Sequence, residues 1–385
     1  MPSADLHRPA GPRTTPFGTE LAELIWFRSL TGADHPYVEH IRTGRRVTFG
    51  TLRRAAARWA MLLEDLGVGL GDTVGIAVSD PIDFSMVFLG VIAAGRVAAP
   101  LDPGAPGAEL AAVCGRVAPT VILSDHPGPP EVAADWVVVR QGSFDLPEPE
   151  LPTVSPGLPS AFGSPLAVAQ PTGGGLVLST SGTTGTPKLI RLSEAQLLHT
   201  AGSIAGHHQL SVADRGFSPL PLFHINAEVV GLLSCLVAGA TLVLDDRFHR
   251  TDFWQDMGVH RITWINAVPA IIARLAPLAE GEEVPPEVRF VRSASAPLPT
   301  ATLRRFEEAT GLPVIETYGM TEAASQITAN PLAGPRKPGS VGLPVGVALR
   351  VVVDGRQSVD DRDALEALPD DPAGVRADGE GDTDA

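Results

Sequence analysis

STSGTTGTPK, residues 179–188, sets two glycines, a proline and a closing lysine among serines and threonines. Nothing in it can build a core, yet LVLST (176–180) leads into it as a buried strand would. A loop leaving a strand with so many small polar groups can aim backbone N–H groups and hydroxyls at one spot, which suits a phosphate. Gly182 and Gly185 permit close backbone approach, and Lys188 adds a point charge. The familiar nucleotide P-loop ends in Gly-Lys-Ser/Thr, whereas here Pro187 precedes Lys188 and Leu189 follows it. The stretch reads as an anion cradle of another make, mounted on a sheet.

The flanking pattern says what kind of sheet. Residues 48–66 read as an amphipathic helix, with Thr48 as N-cap, Gly67 as stop, and Leu52, Ala55, Trp59, Leu62, Leu63 and Leu66 at helical spacing. DTVGIAVSD (72–80) follows as a buried strand, then a helix over 82–94 and the short apolar run VAAPLDP. Downstream, ATLVLDD, ITWIN, VRFVRSAS and PVIETYG read as strands, with a helix over Thr300–Thr310 among them. Such alternation predicts an α/β fold with helix-covered sheets. Between about 127 and 175 the pattern weakens into proline, glycine and acidic residues, with VVVR (137–140) as one short strand.

Composition narrows the function classes. The 385 residues suffice for two or three folding units, and 44% hydrophobic against 19% charged is an ordinary globular balance. A net charge of −15 argues against nucleic acid as a partner. No apolar run is long enough to predict a membrane span, and residues 1–18 read as a flexible leader without a secretion signal. Two distant cysteines, Cys114 and Cys235, give neither a zinc pattern nor a disulfide framework and fit a cytoplasmic setting. From Asp354 to Ala385 there are eleven acidic residues and three arginines, a net of −8, with no aromatic residue. Residues 356–385 are therefore expected to be a disordered acidic tail, apart from one short helical turn near 361–368.

TSGTTGTPK resembles the phosphate loop of the adenylate-forming (AMP-binding) superfamily of acyl-CoA synthetases, luciferases and nonribosomal adenylation domains. PLPLFHINA (219–227), VRSASAPLP (291–299), ETYGMTEAASQITANPL (316–332) and KPGSVGLPVG (337–346) follow in the order that resemblance requires. It covers roughly residues 20–355. It implies the large N-terminal domain of the adenylate-forming fold: two helix-covered mixed sheets with part of a third, β-rich subdomain. The first α/β subdomain is expected over 19–175 and the second, with the nucleotide and acyl sites, over 176–355.

The same resemblance implies ATP, Mg²⁺ and coenzyme A as the reaction's small molecules, and a small carboxylic acid as substrate. Thr180, Ser181, Gly182, Thr183, Thr184, Gly185 and Lys188 would clamp the β- and γ-phosphates. Ser295, Ala296 and Pro297 would line the adenine pocket, beside Glu316, Thr317, Tyr318, Gly319, Met320 and Thr321, with Tyr318 stacking on the base. Thr321 would meet the α-phosphate, and Glu322, with Thr184, would hold Mg²⁺, so Thr321, Glu322 and Lys188 are the expected catalytic residues. One carboxylate plus phosphate oxygens and water is a normal Mg²⁺ set. Read without the resemblance, Glu322 also suits the first turn of a helix, Tyr318 a buried strand position, and residues 295–297 an ordinary turn.

The acid's own pocket is less defined. His224 sits in a PLFH motif at its expected mouth, as a gate or contact. The chain resembles the small-acid CoA ligases, oxalate–CoA ligases in particular, which implies Asn226, Asn266, Arg292, Ser293 and Ser295 beside His224 as candidate partners for a second carboxylate, since a buried charge has to be paired. Each could equally satisfy core backbone groups. Relatives carry a His-Gly pair where this chain has Asn226-Ala227-Glu228, and Glu228 facing the pocket would repel a dicarboxylate. Medium-chain and aromatic acids stay open, as do an acyl carrier protein as acceptor and a non-catalytic ATP-binding role. The family's ribose-binding Asp, hinge and lysine-bearing C-terminal domain have no match beyond VVVDG, implying reduced competence or a separately encoded C-terminal partner.

Overall fold

The computed structural model describes residues 18–132, 134–139, 173–180 and 188–350, and the backbone of 352–353 and 356–357. The phosphate-loop residues Ser181, Gly182, Thr183, Thr184 and Gly185, the leader to residue 17 and nearly all of the acidic tail lie outside them.

Two sheets organise the described residues. The six-stranded sheet runs β6 (Trp136–Val138), β5 (Val121–Ser124), β3 (Thr73–Ala77), β4 (Val97–Pro100), β7 (Gly175–Thr180) and β8 (Lys188–Ser193). All neighbours are parallel except the β7–β8 pair, in which Thr180 faces Lys188. The nine-stranded sheet runs β15 (Leu343–Pro344), β14 (Ser325–Ala329), β13 (Val314–Met320), β12 (Phe290–Ser293), β11 (Trp264–Ala267), β9 (Arg215–Ser218), β10 (Thr241–Leu244), β1 (Pro36–His40) and β2 (Arg46–Thr48). Its centre is parallel and its two ends are antiparallel. The apolar runs TVGIA, VILS and TLVL are buried along their whole length, as expected of strands covered on both faces.

The mixed α/β class thus follows the sequence reading, while sheet membership crosses residue 175: β7 and β8 join the first sheet, and β1 and β2 the second. Helices α1 (Glu20–Gly32), α2 (Phe49–Asp65), α3 (Pro81–Ala93) and α5 (Glu194–His207) pack in the largest apolar core, with a π-helix (Asn226–Leu233) that continues into α6 (Ser234–Ala238). That core takes side chains from both sheets, including Ile76 and Leu178 of one and Trp264, Phe290 and Ile315 of the other. Helix α4 (Gly107–Val117) covers the far face of the six-stranded sheet. Helices α7 (Phe253–Val259), α8 (Pro269–Leu275) and α9 (Thr300–Thr310) cover the far face of the nine-stranded one.

Local chemistry fixes the ends. Thr48 Oγ1 accepts from Thr51 N–H and starts α2 as predicted, and Asp80 caps α3 through Ile82 and Asp83. Ser193 and Gln196 form a reciprocal capping box, so α5 begins directly where β8 ends. Residues to Gly346 form one compact unit. Residues from Val347 form a second, in which β16 (Val352–Val353) pairs with β17 (Arg356–Gln357).

Candidate active site

The parallel strands β11, β12 and β13 end side by side, with Asn266 opposite Arg292 and Ser293 opposite Glu316. Ligands of open α/β sheets bind beyond such carboxyl ends. Here β13 leaves the core: Val314 to Thr317 are buried, whereas Tyr318 is 49% and Met320 42% exposed. The chain then makes a 3₁₀ turn, Thr321–Ala323, and returns as β14. A bulge between Tyr318 and Gly319 offsets the pairing, and Ala324 and Ser325 take positive φ of 54° and 96°. A Cβ on Gly319 would lie 1.5 Å from the Ser325 carbonyl oxygen, so this turn closes only on glycine. Such locally strained backbone is what a ligand-facing turn exhibits.

Several expected nucleotide residues therefore share one open edge. Glu322 is exposed and pairs with none of the described residues. Strand β8, which opens with the exposed Lys188, packs against the turn that holds Thr321 and Glu322. Ser295, Ala296 and Pro297 follow β12 on an exposed turn, with Ser295 at φ 71°. Thr317 is anchored by its hydroxyl, which donates to Ser293 O at 3.0 Å. Glu316 lies elsewhere: it is buried on the α9 side, accepts Gly339 N–H at 3.2 Å, and burial raises its pKa. Thr180 ends β7 half-buried, and Arg116 reaches Ser179 Oγ next to it at 3.1 Å.

A second cluster lies deeper. Arg292, 1% exposed, points to the face that carries Phe290, whereas Ser293 points to the other face, because alternate strand residues oppose each other. Its Nη1 donates to Asn226 Oδ1 at 3.1 Å and to Asn266 Oδ1 at 3.2 Å. Its Nε and Nη2 both donate to Gln326 Oε1, at 3.3 and 3.2 Å. Asn266 Nδ2 reaches Asn226 Oδ1 at 3.3 Å, and Asn226 Nδ2 reaches Ser295 Oγ at 3.3 Å. Burial without an acidic neighbour pulls the Arg292 pKa down to about 9. His208, fully buried against Trp264 and Phe290, and the adjacent His207 have lowered pKa values, by burial first and the Arg292 charge in addition.

The structure thus brings Arg292, Asn226, Asn266 and Ser295 together and leaves the Ser293 hydroxyl buried without a hydrogen bond on the opposite face. His224 stands at the surface beside Phe223, at 4.6 Å between ring centroids; desolvation lowers its pKa and Asp102 opposes this. Gln326 and His208 were missed in sequence. Gln326 lies inside the MTEAASQ segment and becomes visible only through the bulged pairing of β14 with β13. Glu228 is fully buried, neither of its oxygens is hydrogen-bonded to a described residue, and burial raises its pKa well above the carboxylate range.

The class is thus an α/β protein whose helix-covered sheet presents, at its carboxyl edge where such folds place ligands, a glycine-tight turn, an exposed tyrosine and a carboxylate that pairs with no described residue. The chain belongs to the AMP-binding enzyme family, whose pattern matches residues 29–364. It is 37% identical over 348 residues to a sulfoacetate–CoA ligase of Cupriavidus necator, covering 88% of this chain and 67% of that protein. It is 36% identical to an oxalate–CoA ligase of Arabidopsis thaliana, covering 78% of this chain and 60% of that protein. The chain thus spans roughly three-fifths to two-thirds of these relatives' length. The fold matches the N-terminal domain of FACL13 from Mycobacterium tuberculosis with a TM-score of 0.70 at 23% identity, covering 85% of this chain and 82% of that one. Among the described residues no helix is long and apolar enough to cross a membrane, and both cysteines are free and buried.

Proposed function

We propose that this chain binds MgATP at the open edge beyond β12 and β13 and activates a small carboxylic acid as its acyl-adenylate, for transfer to coenzyme A. The observation that carries this reading is the convergence of Lys188, Thr321, Glu322, Tyr318 and the residue 295–297 turn on one exposed edge. Family membership and the CoA-ligase names of the relatives support the reaction class.

In the reaction, a carboxylate oxygen of the acid bonds to the α-phosphorus, the bond to the β-phosphate oxygen breaks, and pyrophosphate leaves. The thiolate sulfur of coenzyme A then bonds to the acyl carbon and AMP leaves. Lys188 offers positive charge to the polyphosphate, and Ser181, Gly182, Thr183, Thr184 and Gly185 would offer neutral hydroxyl and backbone N–H donors. Thr321 positions the α-phosphate, and the exposed ring of Tyr318 offers a face for adenine between its strand and Ser295, Ala296 and Pro297. The carboxylate of Glu322, which pairs with no described residue, would hold Mg²⁺, a cation that favours a carboxylate alongside phosphate oxygens and water and that, when bound, would neutralise developing phosphate charge. Most of the rate comes from positioning and preset charge.

Isothermal titration with MgATP, beside ATP–pyrophosphate exchange across a panel of acids, tests the reading. Saturable binding with acid-dependent exchange is expected. Binding without exchange would remove catalysis and leave an ATP-binding protein, and absent binding would remove the nucleotide site. Adding coenzyme A or an acyl carrier protein to the exchange mixture identifies the acceptor, with coenzyme A expected. Supplying a separately encoded C-terminal domain is expected to raise thioester formation more than exchange.

A further inference from the structure

Arg292 has a guanidinium buried among neutral groups. No described carboxylate pairs with it, and its four hydrogen bonds end on the amide oxygens of Asn226, Asn266 and Gln326. A buried cation held only by neutral dipoles costs stability that a counter-ion would restore. Nothing in the packing of this face requires a charge, since it holds Trp264, Phe290 and the buried ring of His208, whose pKa burial lowers.

The hydrogen bonds are also directional. Gln326 Oε1 takes the Nε/Nη2 side of the fork and fixes the plane. On the Nη1 side, Arg292 and Asn266 Nδ2 both donate to one neutral oxygen, Asn226 Oδ1, at 3.1 and 3.3 Å. Two donors converging on a single acceptor form a socket for oxygen, and an anionic oxygen would bind there more strongly than an amide. Asn226 is the first residue of the π-helix, and its other amide atom is tied to Ser295 on the exposed turn. π-helical turns recur at functional sites. Asn226 thus links the buried cluster to the exposed turn. Glu228 is fully buried, and that burial pushes its carboxyl pKa well above the carboxylate range, which disfavours the charge that would repel a dianion.

We propose that Arg292 and Asn266 form a subsite for a second anionic group on the acid, covered by Asn226 when empty, so that the chain selects short acids with an anionic far end. This rests on the acid-activating reading above. Carboxylate and sulfonate ends share the required chemistry, and the test separates them.

The test is calorimetric titration of the chain, with AMP present, using succinate, 3-sulfopropionate, butyrate and succinamate, followed by pyrophosphate exchange with the same acids. The wild-type chain should bind succinate or 3-sulfopropionate at least about tenfold more tightly than the neutral-ended pair, the preferred one reporting whether the socket fits a planar or a tetrahedral group. Arg292→Met should erase that preference, weakening the dianions by a larger factor than butyrate. Asn226→Ala should tighten the dianions severalfold, because their competitor is gone; a merely structural Asn226 would give no tightening. Circular dichroism melts check that the variants fold, and if Arg292→Met does not, Asn226→Ala decides. Equal binding of all four acids, a preference for butyrate, or an equal loss for all four in Arg292→Met overturns the subsite. Exchange supported by butyrate alone overturns it while leaving acid activation standing. Absence of binding and exchange with every acid overturns both.

Discussion

Gly319→Ala should be far more damaging than a single methyl suggests. The new Cβ would fall 1.5 Å from Ser325 O, 2.5 Å from Ser325 C and 3.0 Å from Gln326 Cα. Non-bonded carbon contacts are comfortable at about 3.5 Å, so β13 and β14 would have to part by about 2 Å. All three clashing atoms are backbone, and the turn between them already holds Ala324 and Ser325 at positive φ, so no flexible side chain can absorb the shift. Overpacking of this kind costs about 1–3 kcal/mol. The functional cost is larger, since a displacement of about 1 Å in a reacting geometry can lower rates about 100-fold. Urea melts should show a loss of about 2 kcal/mol, and pyrophosphate exchange should fall at least about 100-fold. Gly202→Ala is the control: it lies inside α5 with nothing within 4 Å of the added Cβ. It should stabilise by about 0.5–1 kcal/mol and leave exchange intact. A Gly319→Ala chain with wild-type melting and wild-type exchange would refute the assignment of this turn to the active site.

Glu322→Gln should raise the Mg²⁺ concentration needed for half-maximal exchange while leaving urea stability within about 0.5 kcal/mol, because the side chain is exposed; titrating exchange against Mg²⁺ checks this. Glu194 is buried, caps α1 by accepting from Leu21 N–H, and has its pKa raised to about 7 by burial first, with the neighbouring Glu20 adding to it. The folded state keeps that proton to higher pH than the unfolded state, so stability falls as pH rises from about 4.5 to about 7. Urea melts at pH 5 and pH 8 should show wild type losing about 3 kcal/mol more than Glu194→Gln over that interval. Ser193→Ala removes half of a capping box and should cost about 1 kcal/mol in urea melts, with a weaker MgATP affinity as β8 loosens at its junction with α5.

Much of the fold was legible where one physical signal dominated. The 48–66 periodicity gave α2 with its Thr48 cap, apolar runs gave β3 and β10, and β12 and β13 were read from runs broken by Arg292 and Glu316. Strand β8 was not anticipated, because KLIRLS has one buried residue, Leu192, and pairs at a sheet edge where side-chain burial says little. The π-helix was invisible, since Asn226–Leu233 is buried all round and leaves no amphipathic period to read. At the site, motif order picked out Thr321, Glu322 and Tyr318, which the structure leaves at the open edge. It could not distinguish Arg292 from Ser293, neighbours in sequence, because strand alternation sends them to opposite faces. Nor could it foresee that Glu228 would be wholly buried with its pKa pushed up, which depends on the complete surroundings of the side chain.

Helix α5 has a consequence for how the two substrates influence each other. It is a rod of 14 residues, about 21 Å long, with no break. Its first turn is locked to the strand that begins at Lys188, and at its other end His207 and His208 lie close enough to Arg292 to feel its charge. On the proposed reading, a polyphosphate at Lys188 and an acid at Arg292 would sit at the two ends of this rod. Should such coupling exist, it has to be reciprocal: whatever factor ATP imposes on the affinity for the acid, the acid returns to ATP.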